Sequence, residues 1–305
     1  MTDLTRRKFL LTSSVLLAAS FTGSGFDLKK KKPLLAFSTL GCPDWSFEKI
    51  THFAVQNNYK GIELRGIQRE LDLTKCKEFS TATNRSATIR MMKEKGLRFV
   101  DLGSSANLHF ADAAVRQKNL DEAKRFIDLA QQIGCANIRV FPNLLPKNQD
   151  ANKTMDLIAN GLLHLGEYAM GSNVYVLMET HGDLVKSDDV EKIMKAAEHK
   201  HVGLVWDVTN MWTITKEFPA AVYKKLKRYI RHTHIKDAKV IDGKVQYTLL
   251  GQGEVPIFEA IDLLTNGGYK GYYSFEWEKL WHPEIEDPEV SFADYAAVMK
   301  KHFNN

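Results

Sequence analysis

Tyr229-Ile230-Arg231-His232-Thr233-His234-Ile235-Lys236-Asp237 is the stretch from which the fold and its site can be read. Side chains on a strand alternate between two faces, so His232, His234 and Lys236 share one of them. Two histidines and a lysine make a poor core face and a plausible site. Three other strand-like runs end in a carboxylate: Val174 to Glu179, Val202 to Asp207 and Tyr272 to Glu276. Four such ends, in successive order, predict convergence on one divalent metal ion.

Working outward, short apolar runs alternate with helix-period segments from Pro33 onward. Strands are expected at 34–39, 60–65, 97–102, 136–141, 173–179, 202–207, 229–236 and 271–277. Helices are expected at about 46–57, 84–95, 112–133, 152–170, 187–199, 219–227, 255–266 and 291–303. Asn119-x-x-Glu122 and Ser291-x-x-Asp294 read as capping boxes, and Pro256 suits a first helical turn. Gly96, Gly134 and Gly171 follow helical runs and read as C-terminal caps. Eight βα units without a composition break predict a single α/β domain, a (β/α)8 TIM barrel over residues 33–305. The rival, a doubly wound sheet, carries a Gly-rich phosphate loop after its first strand, and Ser38-Thr39-Leu40-Gly41-Cys42 is not one.

Catalytic groups of such barrels sit at the C-terminal strand ends and face inward. Alternation puts Gly61, Glu63 and Arg65 on one face, Tyr175, Leu177 and Glu179 on another, and Gly203, Val205 and Asp207 on a third. Tyr272, Ser274 and Glu276 face in, while Tyr273, Phe275 and Trp277 fit between sheet and helices.

Charge narrows the function classes. The chain has 305 residues, 44% hydrophobic, and a formal net charge of +5. Seven of the 42 Lys/Arg and two of the 37 Asp/Glu lie in residues 1–32, which leaves 35 of each and a neutral body. A neutral body lacks the basic footprint of a duplex-binding protein, so no nucleic-acid partner is expected. Thr5-Arg6-Arg7-Lys8-Phe9-Leu10 and the apolar run to Ala19 read as a twin-arginine signal peptide, with a Lys-rich tether to Lys32. The run is short of the ~20 residues that span a bilayer. The reading is therefore an exported, periplasmic protein whose partners are the twin-arginine export machinery and a small molecule. No stable membrane span is expected; a homo-oligomer is compatible with the sequence. Cys42, Cys76 and Cys135 show no CxxC or zinc spacing and are expected to be core or surface thiols.

Ionised carboxylates are costly to bury unless paired or bound to a cation. Glu179, Asp207 and Glu276 would repel one another on neighbouring strand ends, and a divalent ion, with His234 as a nitrogen ligand, removes the problem. Three oxygens and one nitrogen suit Mn2+ or Mg2+, with Co2+ or Zn2+ also compatible. Glu278 shares the Glu276 face and is the alternative ligand.

Met178-Glu179-Thr180-His181, Trp206-Asp207-Val208-Thr209-Asn210, His232-Thr233-His234-Ile235-Lys236-Asp237, Gly251-Gln252-Gly253 and Tyr272-Tyr273-Ser274-Phe275-Glu276 together resemble the sugar phosphate isomerase/epimerase family. This is the xylose-isomerase-like barrel superfamily, with ketose 3-epimerases and inosose dehydratases; the resemblance covers roughly residues 34–303. It implies Glu179, Asp207, His234 and Glu276 as metal ligands and Glu179 and Glu276 as an acid/base pair. Two glutamates on opposite sides of a sugar can take a proton from one face and return it to the other, provided each keeps a free oxygen. A metal that chelates the sugar oxygens would acidify the carbon–hydrogen bond between them.

The chain departs from the ketose epimerases where they carry a His three residues after the strand-6 Asp, here Asn210, and an Arg after the strand-7 His, here Lys236 or Val240. Lys236, His181, Asn210, Glu63 and His109 are the candidate substrate contacts. His232 lies a layer deeper and is expected to be an interior hydrogen-bonding residue. Trp45, Trp212 and Trp281 fall in loops on the active face. The function expected is a metal-dependent sugar isomerase or epimerase. The alternative is a lyase or dehydratase on an inosose or 3-keto sugar. An apurinic-endonuclease-like phosphodiesterase needs an Asp-x-His before Gly251 that is missing here, and a non-catalytic sugar-binding barrel would not need all four ligands.

Overall fold

The structure, a computed structural model, describes residues 32–304. The twin-arginine motif and all but the last residue of the tether lie outside the described residues. The strands are β1 (Leu35–Ser38), β2 (Gly61–Leu64), β3 (Arg98–Asn107), β4 (Asn137–Phe141), β5 (Tyr175–Glu179), β6 (Val202–Asp207), β7 (Ile230–Ile235), β8 (Asp237–Ile241), β9 (Lys244–Thr248) and β10 (Tyr273–Phe275). Eight of them close into a parallel barrel in the order β1-β10-β7-β6-β5-β4-β3-β2, the expected (β/α)8 architecture. β8 and β9 form an antiparallel hairpin outside the barrel. Sequence reading missed it, because its residues lie among β7, a glycine loop and the next helix without a clear period.

Aromatic packing seals the seam where the last strand meets the first. Phe275 stacks on Tyr295 with centroids 4.5 Å apart, and Phe37 stacks on Phe292 at 4.4 Å. Each pair adds about 1 kcal/mol beyond its buried area. Tyr295 Oη donates to Tyr273 O (3.0 Å) and Tyr59 Oη to Phe292 O (2.7 Å), so the buried phenols are satisfied. The outward aromatic face expected for Tyr273, Phe275 and Trp277 is the one observed, and Cys42, Cys76 and Cys135 are buried free thiols.

Two helix starts differ from expectation. The helix Ala113–Ile133 is capped by Asp112, whose Oδ1 accepts from Val115 N (2.8 Å), not by Asn119 and Glu122. Those two lie mid-helix and turn to β3 instead, accepting the amides of Asn107 (2.8 Å) and Ser105 (2.7 Å). The last helix, Pro288–Asn304, starts before Ser291, whose hydroxyl is buried. Proline at the first helical position needs no amide donor, which explains the earlier start. Gly96, Gly134 and Gly171 all have positive φ, as helix-terminating glycines do. Among the described residues no helix is long and apolar enough to cross a membrane.

Candidate metal centre and active site

The strand ends deliver their side chains to one point. Glu179 closes β5, Asp207 closes β6, His234 is next to last in β7 and Glu276 follows β10. Register does the alignment: Asp207 pairs with His234, and His234 with Ser274. One ligand atom from each of Glu179, Asp207, His234 and Glu276 lies within 4.8 Å of the others, and all four residues are buried. Glu276, not the alternative Glu278, belongs to this cluster.

Local structure fixes each donor. Asp207 is the cap of the helix Val208–Thr215, an element absent from the sequence expectation; its Oδ1 accepts from Asn210 N (2.8 Å). A cap of this kind contributes about 1 kcal/mol and leaves Oδ2 turned to the cluster. Thr180 Oγ1 accepts the Asp207 amide at 3.0 Å, tying β5 to β6 at the rim. His234 places Nε2 3.2 Å from Glu63 Oε1, and Nδ1 3.1 Å from Glu276 Oε2 and 3.4 Å from Glu179 Oε1. With Nε2–H turned to a carboxylate, Nδ1 is the nitrogen left for a metal.

Lys236 is buried and bound by three carboxylates: Glu276 Oε2 at 2.6 Å, Asp207 Oδ2 at 2.7 Å and Glu278 Oε1 at 2.7 Å. Asp237, its neighbour in the chain, is not among them. That residue instead accepts from the amides of Gly251 (2.9 Å) and Gly253 (3.0 Å), so the Gly251-Gln252-Gly253 motif is a cradle for a carboxylate. A Cβ on Gly253 would lie 2.0 Å from Asp237 Oδ1, which excludes other residues there. Tyr247, from the hairpin, donates to Glu278 (2.8 Å) and fixes it as the holder of Lys236.

The candidate substrate contacts divide. Lys236 and Asn210 touch the cluster, Asn210 Nδ2 reaching Glu179 Oε1 at 3.5 Å. His181 does not; its Nδ1 is paired with Asn143 Oδ1 (2.8 Å) and its ring packs on Phe141. His109 is buried against the Phe110 ring, with Nδ1 unpartnered among the described residues and outside the cluster. Glu63 lies beneath the site, where Oε2 accepts from His232 Nε2 (2.8 Å) and Ser274 Oγ (2.8 Å). With Oε1 also 3.2 Å from His234 Nε2, its place is under His234. His232 is the interior hydrogen-bonding residue expected. Trp45 is packed on Phe53 and Phe292, Trp212 lies under Lys216, and Trp281 is exposed.

Two residues escaped sequence reading. Arg139, on β4, is fully buried, its Nε 3.0 Å from Glu179 Oε2 and its guanidinium 3.7 Å from the Phe141 ring. Asp101, on β3, is buried with neither oxygen hydrogen-bonded among the described residues. The signal was present in both runs: a charged residue at an inward position of an otherwise apolar strand.

The electrostatics suit an added cation. Five carboxylates, Glu63, Glu179, Asp207, Glu276 and Glu278, face two close cations, Arg139 and Lys236. Burial pushes the Glu276 and Glu179 carboxyls upward, but His234 with Lys236, and His234 with Arg139, hold them below the ordinary range. Burial would lower His234, and Glu276, Glu63 and Glu179 together raise it instead. Arg139 reaches Glu179 Oε2 and Lys236 reaches Asp207 Oδ2, but neither contact has hydrogen-bond geometry, and neither His234 nitrogen is hydrogen-bonded among the described residues. A buried imidazole left so among an excess of carboxylates is what a divalent ion would satisfy. The residues fit such an ion, and oxygen-rich ligation with one imidazole suits the harder divalent metals.

Residues 52–302 match the xylose isomerase-like TIM barrel family, and the chain belongs to it. Among its relatives, inosose dehydratase 2 of Bacillus cereus is 26% identical over 172 residues, 51% of this chain and 56% of that protein. The chain thus aligns with little more than half the length of that relative. A D-tagatose 3-epimerase-like protein superposes with a TM-score of 0.70 at 16% identity, covering 88% of this chain and 97% of its own. A xylose isomerase-like TIM barrel protein from Mycobacterium smegmatis in complex with magnesium gives 0.67 at 19%, covering 90% and 97%. At such identities the likenesses speak for the fold.

Proposed function

We propose that the chain is a divalent-metal-dependent lyase of the dehydratase kind, acting on a hydroxylated ketone. The observation that carries this is an asymmetry between the two glutamates. Glu179 has both oxygens engaged, Oε2 by Arg139 and Oε1 by Asn210 and the His234 side. Glu276 has Oε2 on Lys236, while Oε1 has no side-chain partner among the described residues. An epimerase, the expectation drawn from the resemblance, needs two exchangeable carboxylates. Elimination needs one.

A divalent ion held by Glu179, Asp207, His234 and Glu276 would supply Lewis-acid polarisation of the substrate carbonyl. Glu276 Oε1 takes the proton from the carbon beside that carbonyl. The carbon–hydrogen pair becomes the new double bond, the β carbon–oxygen bond breaks, and the same carboxyl returns its proton to the departing hydroxyl as water. Lys236 holds Glu276 in place and sets a positive charge beside the developing oxyanion. Arg139 keeps Glu179 ionised and out of the proton transfer. The inosose dehydratase relative supports the same class, and the epimerase-like fold neighbour supports the shared first step.

The test follows the substrate in heavy water with Mn2+ or Mg2+ present. Loss of one water from an inosose, a 3-keto sugar or an acid-bearing analogue of either, abolished in Glu276→Gln, is the expected result. Deuterium gained without loss of water, equally abolished in Glu179→Gln and Glu276→Gln, would mean epimerisation. We also infer export through the twin-arginine pathway from Arg6-Arg7; a fusion of residues 1–32 to a reporter that stays in the cytoplasm would refute it.

A further inference from the structure

A second arginine besides Arg139 stands at the mouth of the barrel. Arg65 follows β2 and continues the inward face of Glu63 one step higher. Its side chain is buried, only 5% exposed, yet no carboxylate among the described residues is within ion-pairing distance. Its partners are neutral: Nη2 donates to Ser105 Oγ at 2.9 Å, and Nη1 reaches Gly103 O at 3.5 Å. Arg139 approaches the same glycine from β4. A Cβ at Gly103 would lie 2.9 Å from Arg65 Cδ and 3.0 Å from Arg139 Nη2, so glycine is what lets both side chains occupy this layer.

The two arginines are unequal. Arg139 spends its charge on Glu179, whereas Arg65 is buried beside a like charge with no ion pair of its own among the described residues. Burial first, and Arg139 second, push its pKa down to about 10, with Glu276, Glu122 and Glu179 near enough to pull the other way. A structural tie between β2 and β3 needs only a neutral donor, and burying a guanidinium for two neutral contacts costs more than it returns. The planar fork of an arginine matches a carboxylate through two parallel hydrogen bonds.

We propose that Arg65 receives a carboxylate of the substrate, which makes the substrate a hydroxylated ketone carrying an acid group rather than a neutral sugar. This rests on the cluster beside it being the active site. A carboxylate is favoured over a phosphate because a single uncommitted guanidinium sits close to Glu276 and Glu179, which would repel a dianion.

The test is calorimetry on the full chain loaded with Mg2+, using probes matched except for the acid: D-glucuronate against D-glucose, and quinate against its methyl ester. The acids are expected to bind on the order of ten- to a hundredfold more tightly, the span of a charge-assisted hydrogen bond. Arg65→Gln should erase that preference while bound metal and melting temperature stay as in the wild type, and Arg65→Lys should keep part of it. Equal affinity for acid and neutral probes, no binding of either acid, or a preference that survives in Arg65→Gln overturns the proposal. Tighter binding of glucose 6-phosphate than of glucuronate overturns it as well, in favour of a phosphate. Acid preference in a chain that takes up no metal would leave this assignment standing and remove the lyase reading; metal uptake without acid preference would do the reverse.

Discussion

Two polar layers stack inside this barrel, and they are built to opposite ends. In the lower one, Glu63 is held by His232 and Ser274, both at 2.8 Å. In the upper one, Glu179, Asp207 and Glu276 crowd round His234 with only Arg139 and Lys236 to balance them, and neither His234 nitrogen is hydrogen-bonded among the described residues. Both layers come from the same inward alternation, and β7 and β10 contribute to each. The lower is largely closed on itself, whereas the upper is complete only with a cation. Polar residues in a barrel interior thus do not mark a site by themselves; the unpaired ones do.

The comparison breaks most sharply at the two histidines of β7. His234→Ala should abolish stoichiometric binding of a divalent ion, since it removes the nitrogen donor of the cluster. His232→Ala should retain the ion and cost stability instead, about 3 kcal/mol, because it takes a hydrogen-bond partner from the buried Glu63 carboxylate. Metal analysis and denaturant unfolding on the two variants decide it. Metal lost in His232→Ala and kept in His234→Ala would invert the assignment of the layers.

The sequence carried the barrel well, because eight apolar runs each ended where a helix period began. It also carried Glu179, Asp207, His234 and Glu276, each a charged residue at the end of its own run. Period-two alternation further separated His232 from His234. What it could not carry was partnership. Glu63 reads as a candidate substrate contact, and the sequence alone does not show its hydrogen bonds to His232 and Ser274 beneath His234. His181 looked equally placed beside Glu179, yet Asn143 and Phe141 claim it across the rim. Arg139 and Asp101 lie inside their strands rather than at the ends, and a charge there reads as noise without its three-dimensional neighbours. The glycines at 251 and 253 served as a family marker, and their physical cause, the Asp237 carboxylate, lies fourteen and sixteen positions back along the chain.

A smaller effect sharpens the contrast within the lower layer. Asp101 is the acid there with neither oxygen hydrogen-bonded among the described residues, and burial, opposed by His232 and reinforced by Glu63, pushes its carboxyl up to about 7. An acid whose folded pKa lies above its unfolded value of about 3.9 binds its proton more tightly when folded, so stability falls as pH rises between the two values. The penalty amounts to about 4 kcal/mol once pH exceeds 7. Asp101→Asn should therefore gain stability relative to wild type as pH goes from 5 to 8, less the cost of an unpaired amide. Unfolding at the two pH values measures it; a constant difference would show that Asp101 is paired or neutral throughout.

The smallest effect separates neighbours two positions apart. Glu276 and Glu278 both contact Lys236, but only Glu276 also faces His234 Nδ1, at 3.1 Å. Glu278 is the more exposed and is held by Tyr247, so its carboxylate belongs to the lysine. Glu278→Gln keeps an acceptor for both Lys236 and Tyr247 and should cost about 1 kcal/mol, with metal stoichiometry unchanged. Glu276→Gln, by contrast, should weaken metal binding. Titration of each variant with Mn2+ is the check. Weaker binding in Glu278→Gln than in Glu276→Gln would move the ligand set out to the loop and return the inner glutamate to the lysine.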